Sequence, residues 1–247
     1  MPDTGTGDGT VAGNQVSEYC GLSVMQHFPH AIEARGVIQR GIPLRSAIIL
    51  VGGEASRANG MEKYFFVFEG KTFIQRLTGT LQSVVDEIVL VAKNAEQCRR
   101  FRHIGNVTCV NDRVPGLGPI GGLQAGLDAV DGDDVFVCAC DMPCISHEVV
   151  EYLFSVLDGY DAVIPSWDAR MLEPLHAVYR RTALVAYLQN HDSFSLRQML
   201  RNLNCLYVHV STLRHIDPEL VTFTNINKVE DLEKIGAERS GGADERF

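Results

Sequence analysis

The chain has 247 residues, with 22 Lys or Arg against 31 Asp or Glu, for a formal net charge of −9. At ~150 residues per domain, that length predicts one large domain or two small ones. Such acidity argues against general nucleic-acid binding or docking on an acidic membrane, both of which need a basic footprint. It leaves room for a small anionic ligand held by a few local donors. No run approaches ~18 apolar residues, so no transmembrane helix is expected. The first basic residue is Arg35, so the start lacks the cationic region of a signal peptide. The expected location is the cytoplasm. The seven cysteines are odd in number, and several sit in apolar runs. This predicts reduced thiols rather than a disulfide framework. Cys138, Cys140 and Cys144 read as buried strand thiols more readily than as a metal site.

Residues 1–15 are rich in Gly and Thr and almost free of large apolar groups. They cannot bury enough surface to offset their ordering entropy. Residues 1–45 together read as a poorly ordered or loosely packed extension, residues 46–236 as one domain, and residues 237–247 as a frayed tail. The first strand is Ala47-Ile48-Ile49-Leu50-Val51, a continuous apolar run ending in Gly52-Gly53. Such a run fits a strand buried on both faces, as in parallel sheets. Similar runs cover residues 87–92, 107–110, 134–140 and 161–165. Between them, Phe73, Leu77, Leu81 and Val84 recur at helical spacing, and residues 95–103, 120–130 and 147–157 read as helices. Further on, residues 172–179 read as a strand, 183–188 and 196–203 as helices, and 206–210 as a strand. Residues 222–224 read as extended and 229–235 as the last helix. Strands alternating with helices give an α/β fold, a three-layer Rossmann-like arrangement with a mainly parallel sheet.

Four features carry chemistry. The loop Gly52-Gly53-Glu54-Ala55-Ser56-Arg57-Ala58-Asn59-Gly60-Met61-Glu62-Lys63 follows the first strand, where open α/β sheets bind ligands. Its glycines allow close backbone approach to an anion, and Ser56, Arg57 and Lys63 add donors. By itself it also fits a plain Gly-Gly turn. The segment Pro115-Gly116-Leu117-Gly118-Pro119-Ile120-Gly121-Gly122-Leu123 opens a helix after the third strand. It suits close approach to a ring or phosphate at a helix N-terminus, or a flexible connection. Asp141 ends the 134–140 strand. It reads as a hard oxygen ligand for Mg²⁺, or as a turn former before Met142-Pro143. Asn225-Ile226-Asn227 puts two amides on one side of an extended segment, although asparagines also commonly stop strands.

In this order the features resemble the molybdenum cofactor guanylyltransferases, a family of molybdopterin nucleotidyltransferases. Phe66-Val67-Phe68-Glu69-Gly70-Lys71-Thr72-Phe73 and Glu173-Pro174-Leu175-His176-Ala177-Val178-Tyr179 also resemble stretches of that family. The resemblance covers roughly residues 46–236. The chain departs from the family pattern at Ala58-Asn59, where the loop usually reads R-M-G, and at Glu62, where Asp is usual.

The resemblance implies transfer of GMP from Mg-GTP to the terminal phosphate of molybdopterin, or of its molybdenum-loaded form, with release of pyrophosphate. It implies catalytic roles for Arg57, Lys63 and Asp141. It implies nucleotide contacts at Leu50, Gly52, Gly53, Lys63, Asp112, Gly121 and Asp141, and Mg²⁺ held by Asp141 and Asn227. Asp112 is the candidate reader of guanine, or else it binds ribose or caps a turn while backbone groups read the base. The implied partners are GTP, molybdopterin or molybdenum cofactor, and transiently the cofactor-biosynthesis or acceptor proteins. The alternatives are a relative that uses CTP or another phosphorylated acceptor, and a non-catalytic nucleotide-binding module. A nicotinamide dehydrogenase ranks last, because no G-x-G-x-x-G opens the first helix.

Overall fold

The computed structural model describes residues 43–52, 57–58, 61–112, 117–191, 193–226 and 231; at 57–58 and 61–63 only the backbone is described. Residues 1–42 of the N-terminal extension, Gly53, Asn227, the 229–235 helix apart from residue 231, and the C-terminal tail of the sequence reading lie outside these residues.

In chain order the strands are β1 (Arg45–Leu50), β2 (Arg57–Ala58), β3 (Met61–Glu62), β4 (Val67–Phe68), β5 (Lys71–Thr72), β6 (Glu87–Ala92), β7 (Thr108–Asn111), β8 (Asp134–Ala139), β9 (Ala162–Ser166), β10 (His176–Arg180) and β11 (Cys205–His209). The α-helices are α1 (Phe73–Leu81), α2 (Ala95–Arg100), α3 (Gly118–Leu127), α4 (His147–Ser155), α5 (Arg181–Asn190) and α6 (Leu196–Asn202). Seven strands form one sheet in the order β11-β9-β10-β8-β1-β6-β7. Every neighbouring pair is parallel except those made by β10, which runs antiparallel to both β8 and β9. The two remaining sheets are the short hairpins β2-β3 and β4-β5.

The central strands alternate between two cores, as a period of two requires. Ala47, Ile49 and Val51 face one core with Leu77 and Leu81 of α1 and Val149 and Leu153 of α4. Ile48 and Leu50 face the other with Leu123 of α3, Leu184 of α5 and Met199 of α6. Burial on both faces explains why these strands read as unbroken apolar runs. The α1 start is fixed by a capping box. Thr72 Oγ1 accepts from Gln75 N, and the Gln75 side chain accepts from Thr72 N, satisfying two donors that the helix leaves open.

Three expectations are revised. The strand read over 172–179 is confined to β10. Pro174 has no N–H for a ladder, and Leu172 makes only an isolated bridge to Ser166. Of residues 222–224, read as extended, only Thr224 is so. Left-handed Leu220 (φ 55°) turns the chain into a 3-10 helix over Val221–Phe223, held where Thr222 N donates to Asp217 Oδ2 at 2.8 Å. The cysteines are not all reduced: Cys98 of α2 and Cys109 of β7 form a disulfide. α2 lies against β6 and β7, which brings the two Cα atoms to 5.7 Å, within disulfide reach. Cys138, Cys140 and Cys144 are buried, as strand-end and core side chains.

α3 sits very close to the sheet. A Cβ added at Gly126 would lie 2.7 Å from Cγ2 of Ile48, a fully buried residue of β1. Alanine gains about 1 kcal/mol over glycine in a helix interior, whereas overpacking a tight core costs about 1–3 kcal/mol. Gly126→Ala is expected to destabilise by about 1 kcal/mol, read as a lower urea midpoint at unchanged slope.

His176 is fully buried. Its ring lies 5.3 Å from the Phe136 ring centroid and 4.8 Å from that of Phe223. Its Nε2 sits 3.3 Å from Thr222 Oγ1, which also accepts from Ser146 N. Burial pushes its pKa down from 6.5 to about 3. Between those values the unfolded chain binds a proton that the folded one does not, so stability falls as the pH drops. Relative to His176→Gln, the parent chain is expected to lose about 2.7 kcal/mol more on going from pH 7.5 to pH 4.5, measured by urea unfolding at both values.

Candidate active site

The C-terminal ends of the parallel strands form one edge of the sheet, the place where open α/β folds build their sites. β1 lies between β6 and β8, and hydrogen bonds beyond the strands lock the three ends together. Val51 N and Gly52 N both donate to Val91 O, at 3.0 and 3.2 Å, and Cys140 N donates to Leu50 O at 3.2 Å. The Gly52 N–H itself is therefore bonded within the sheet. Glycine is needed here for another reason. A Cβ would come within 3.0 Å of the Lys93 backbone nitrogen. Leu50 is likewise a core residue, its side chain lying under Gly122 of α3.

The loop beyond Gly52 returns through β2 and β3, where Arg57 pairs with Glu62, to Lys63 in a 3-10 turn over Lys63–Phe65. Tyr64 anchors that turn. Its ring is fully buried, 4.9 Å from the Phe101 centroid and edge-on. Its hydroxyl accepts from Gln97 Nε2 at 2.9 Å. Gln97 Oε1 in turn accepts from Lys93 N at 2.6 Å. A satisfied buried amide of this kind fixes geometry, so the Lys63 backbone is tied to the end of β6.

The structure brings Asp112 and Gly121 together. Asp112 follows β7, its N–H donating to Ala92 O at 2.8 Å. Its carboxylate lies over the first turn of α3. A Cβ on Gly121 would sit 3.3 and 3.4 Å from the two carboxylate oxygens. The same turn has no side-chain cap at Leu117, and Gly118 takes the left-handed φ of 63° that favours glycine.

Asp141 follows β8, next to the β1 end. Its carbonyl oxygen accepts from Ile226 N at 2.8 Å, and its Oδ1 is shielded from solvent. Ile226 is buried in a small cluster with Phe66, Phe73 and Cys144, while Asn225 is exposed. Of the two predicted metal ligands, Asp141 is thus held at the strand end by the segment that leads to Asn227. A buried carboxylate oxygen at that position suits Mg²⁺, which takes one or two protein oxygens beside substrate phosphates. Among the described residues, no group of three or more His, Cys, Asp and Glu converges.

Sequence reasoning assigned no role to Glu173. It is half-buried, and its Oε1 accepts from Trp167 Nε1 at 2.8 Å. Burial and the nearby Asp141 charge hold its pKa above the usual carboxylate value, in spite of the indole hydrogen bond. An acidic residue before a proline, in a connection at the ligand-binding edge of the sheet, was the available signal.

Comparison with known proteins identifies the family and the fold. Residues 47–207 match the family model described as the MobA-like NTP transferase domain. A probable molybdenum cofactor guanylyltransferase of Methanosarcina mazei is 40% identical over 201 residues, covering 77% of this chain and 89% of the relative. The molybdenum cofactor guanylyltransferase of Desulfosudis oleivorans is 33% identical, covering 80% of this chain and 96% of its own. Among solved structures, molybdopterin-guanine dinucleotide biosynthesis protein A of Archaeoglobus fulgidus superposes with a TM-score of 0.65 at 31% identity, over 79% of this chain and 99% of that one. No described helix is long and apolar enough to cross a membrane. The chain belongs to the MobA-like NTP transferase family and is a nucleotidyltransferase of the molybdenum cofactor guanylyltransferase group.

Proposed function

We propose that this protein transfers GMP from Mg-GTP to the terminal phosphate of molybdopterin, or of its molybdenum-loaded form, as a cytoplasmic enzyme. The observation that carries the reading is one crevice edge holding Asp112 against the open first turn of α3 and Asp141 against the Asn225-Ile226 segment. A phosphate oxygen of the acceptor attacks the α-phosphorus of GTP. The bond from that phosphorus to the α,β-bridging oxygen breaks, and pyrophosphate leaves with the electron pair. The nucleophile is already anionic, so no general base is required, and the protein contributes position and charge.

Asp141, with Asn227, would hold Mg²⁺, which when bound neutralises the triphosphate and polarises the reacting phosphoryl group. Asp112 accepts from the N1–H and N2–H₂ edge of guanine, with Gly121 leaving room beside it. Adenine presents an acceptor at N1, which a carboxylate rejects. Arg57 and Lys63 stabilise the charge that grows on the departing pyrophosphate, the Lys63 backbone being anchored through Tyr64.

Pyrophosphate release measured with each nucleoside triphosphate, with and without molybdopterin, tests the reading. Release is expected to need GTP, molybdopterin and Mg²⁺ together, and a preference for CTP would overturn the guanylyl assignment. Asp141→Asn is expected to lower turnover by at least about a hundredfold with an unchanged melting temperature. For Lys63→Ala, kcat is expected to fall by more than KM for GTP rises. The opposite split would place Lys63 in ground-state binding.

A further inference from the structure

The sheet carries Asp141 to the crevice, but the segment laid across it belongs to no strand. Residues 221–226 make one 3-10 turn and then run on outside every sheet, so no ladder fixes their register. Two bonds fix it instead. Ile226 N donates to Asp141 O at 2.8 Å, and Ser146 N donates to Thr222 Oγ1 at 3.1 Å. The turn of residues 141–146 is thus pinned at both ends by one segment running the opposite way. Beside those bonds, Cys144 and Ile226 pack into the buried cluster of Phe66 and Phe73.

Thr222 is fully buried. Its N–H donates to Asp217 Oδ2 at 2.8 Å. Its hydroxyl, besides accepting from Ser146, lies 3.3 Å from His176 Nε2. Ser146 is the N-cap of α4. His176 opens β10 opposite Cys138 of β8, three residues before Asp141. One hydroxyl therefore ties the segment to the start of a helix and to the sheet at the same point. Apolar burial alone is non-directional and would hold such a segment at several offsets, whereas a satisfied buried hydroxyl selects one. The reaction proposed above gives Thr222 no part.

We infer that Thr222 is a positioning residue of the metal site: its hydroxyl fixes the register of residues 221–226 against the 141–146 turn, and so sets what faces Asp141 when a divalent cation binds. This rests on the proposed function in taking Asp141 and Asn227 as the Mg²⁺ ligands. It adds the group that holds Asp141 and the segment leading to Asn227 together. Thr222 itself touches neither metal nor substrate in this role.

The test uses the full chain and Mn²⁺ as the probe, an oxygen-seeking substitute for Mg²⁺ whose binding is followed by electron paramagnetic resonance without nucleotide. Thr222→Val keeps the shape and removes the hydroxyl. It is expected to weaken Mn²⁺ binding at least about tenfold, the scale on which groups behind metal ligands act. The Mg²⁺ concentration for half-maximal pyrophosphate release is expected to rise by a similar factor. Thr222→Ser keeps the hydroxyl and is expected to stay within about threefold of the parent. Gly126→Ala, which weakens the fold at α3, is the control for stability alone and is expected to leave Mn²⁺ affinity unchanged. A smaller loss in Thr222→Val, an equal loss in Thr222→Ser, or an equal loss in Gly126→Ala would overturn the inference. Mn²⁺ binding that survives Asp141→Asn would overturn the metal assignment and this inference with it. Binding that Asp141→Asn abolishes and Thr222→Val leaves intact defeats this inference alone. A chain whose Mn²⁺ affinity follows Thr222 as expected but which transfers no GMP defeats the proposed reaction and leaves the positioning role standing.

Discussion

The site depends on the parallel register of three strands. β1 lies between β6 and β8, with Ala47 opposite both Ile88 and Phe136, so the three ends finish level. The ends are then joined by single backbone bonds: Leu50 O takes Cys140 N, and Val91 O takes Val51 N and Gly52 N. Those bonds set the distance between the loop after β1 and the carboxylate after β8. Asp141 needs no further device to reach the crevice, because the sheet delivers it there. A shift of one residue in either pairing would exchange the two buried faces of the strand and could not be absorbed locally.

Much of this was legible because a strand buried on both faces leaves a continuous apolar run. β1, β6, β8 and β9 were read that way, and α1 through its 3.6-residue spacing. Strand direction is not written in such a run, and nothing in His176–Arg180 says that it pairs antiparallel to β8 and β9. The boundary misread before it has a local cause in Pro174. The disulfide was not legible, since Cys98 and Cys109 meet only once α2 has docked beside β7. The compositional argument for reduced thiols addressed the chain as a whole and had no access to that docking.

The site residues divide in the same way. Asp112, Gly121 and Asp141 were legible as candidates because each sits at the end of a recognisable strand or the start of a recognisable helix. Gly52 was legible as a position with a special backbone requirement, and the structure adds a reason for it that the sequence does not show: the Lys93 backbone passes within 3.0 Å of where a Cβ would be. Glu173 escaped because its two partners are distant in kind: the Trp167 indole across the β9–β10 connection, and Asp141 on another strand. Loop residues whose role depends on tertiary contacts are the ones that a linear pattern misses.

The antiparallel course of β10 has a consequence for how such an enzyme diversifies. In a purely parallel sheet, successive strands are joined by crossovers that begin at one edge and finish at the opposite one. Here the chain leaves β9 and enters β10 at the same edge, so residues 167–175 form a wall that begins and ends beside the chemistry. Among the described residues, its backbone ties run to Ala139, to Pro165, to His176 and within the wall itself, and none runs to β1, β6, β7 or α3. That wall can lengthen, shorten or change composition without disturbing the half of the sheet that carries Asp112. With the nucleotide placed as proposed, the fold thereby separates the part that handles it from a part free to be rewritten for a different acceptor.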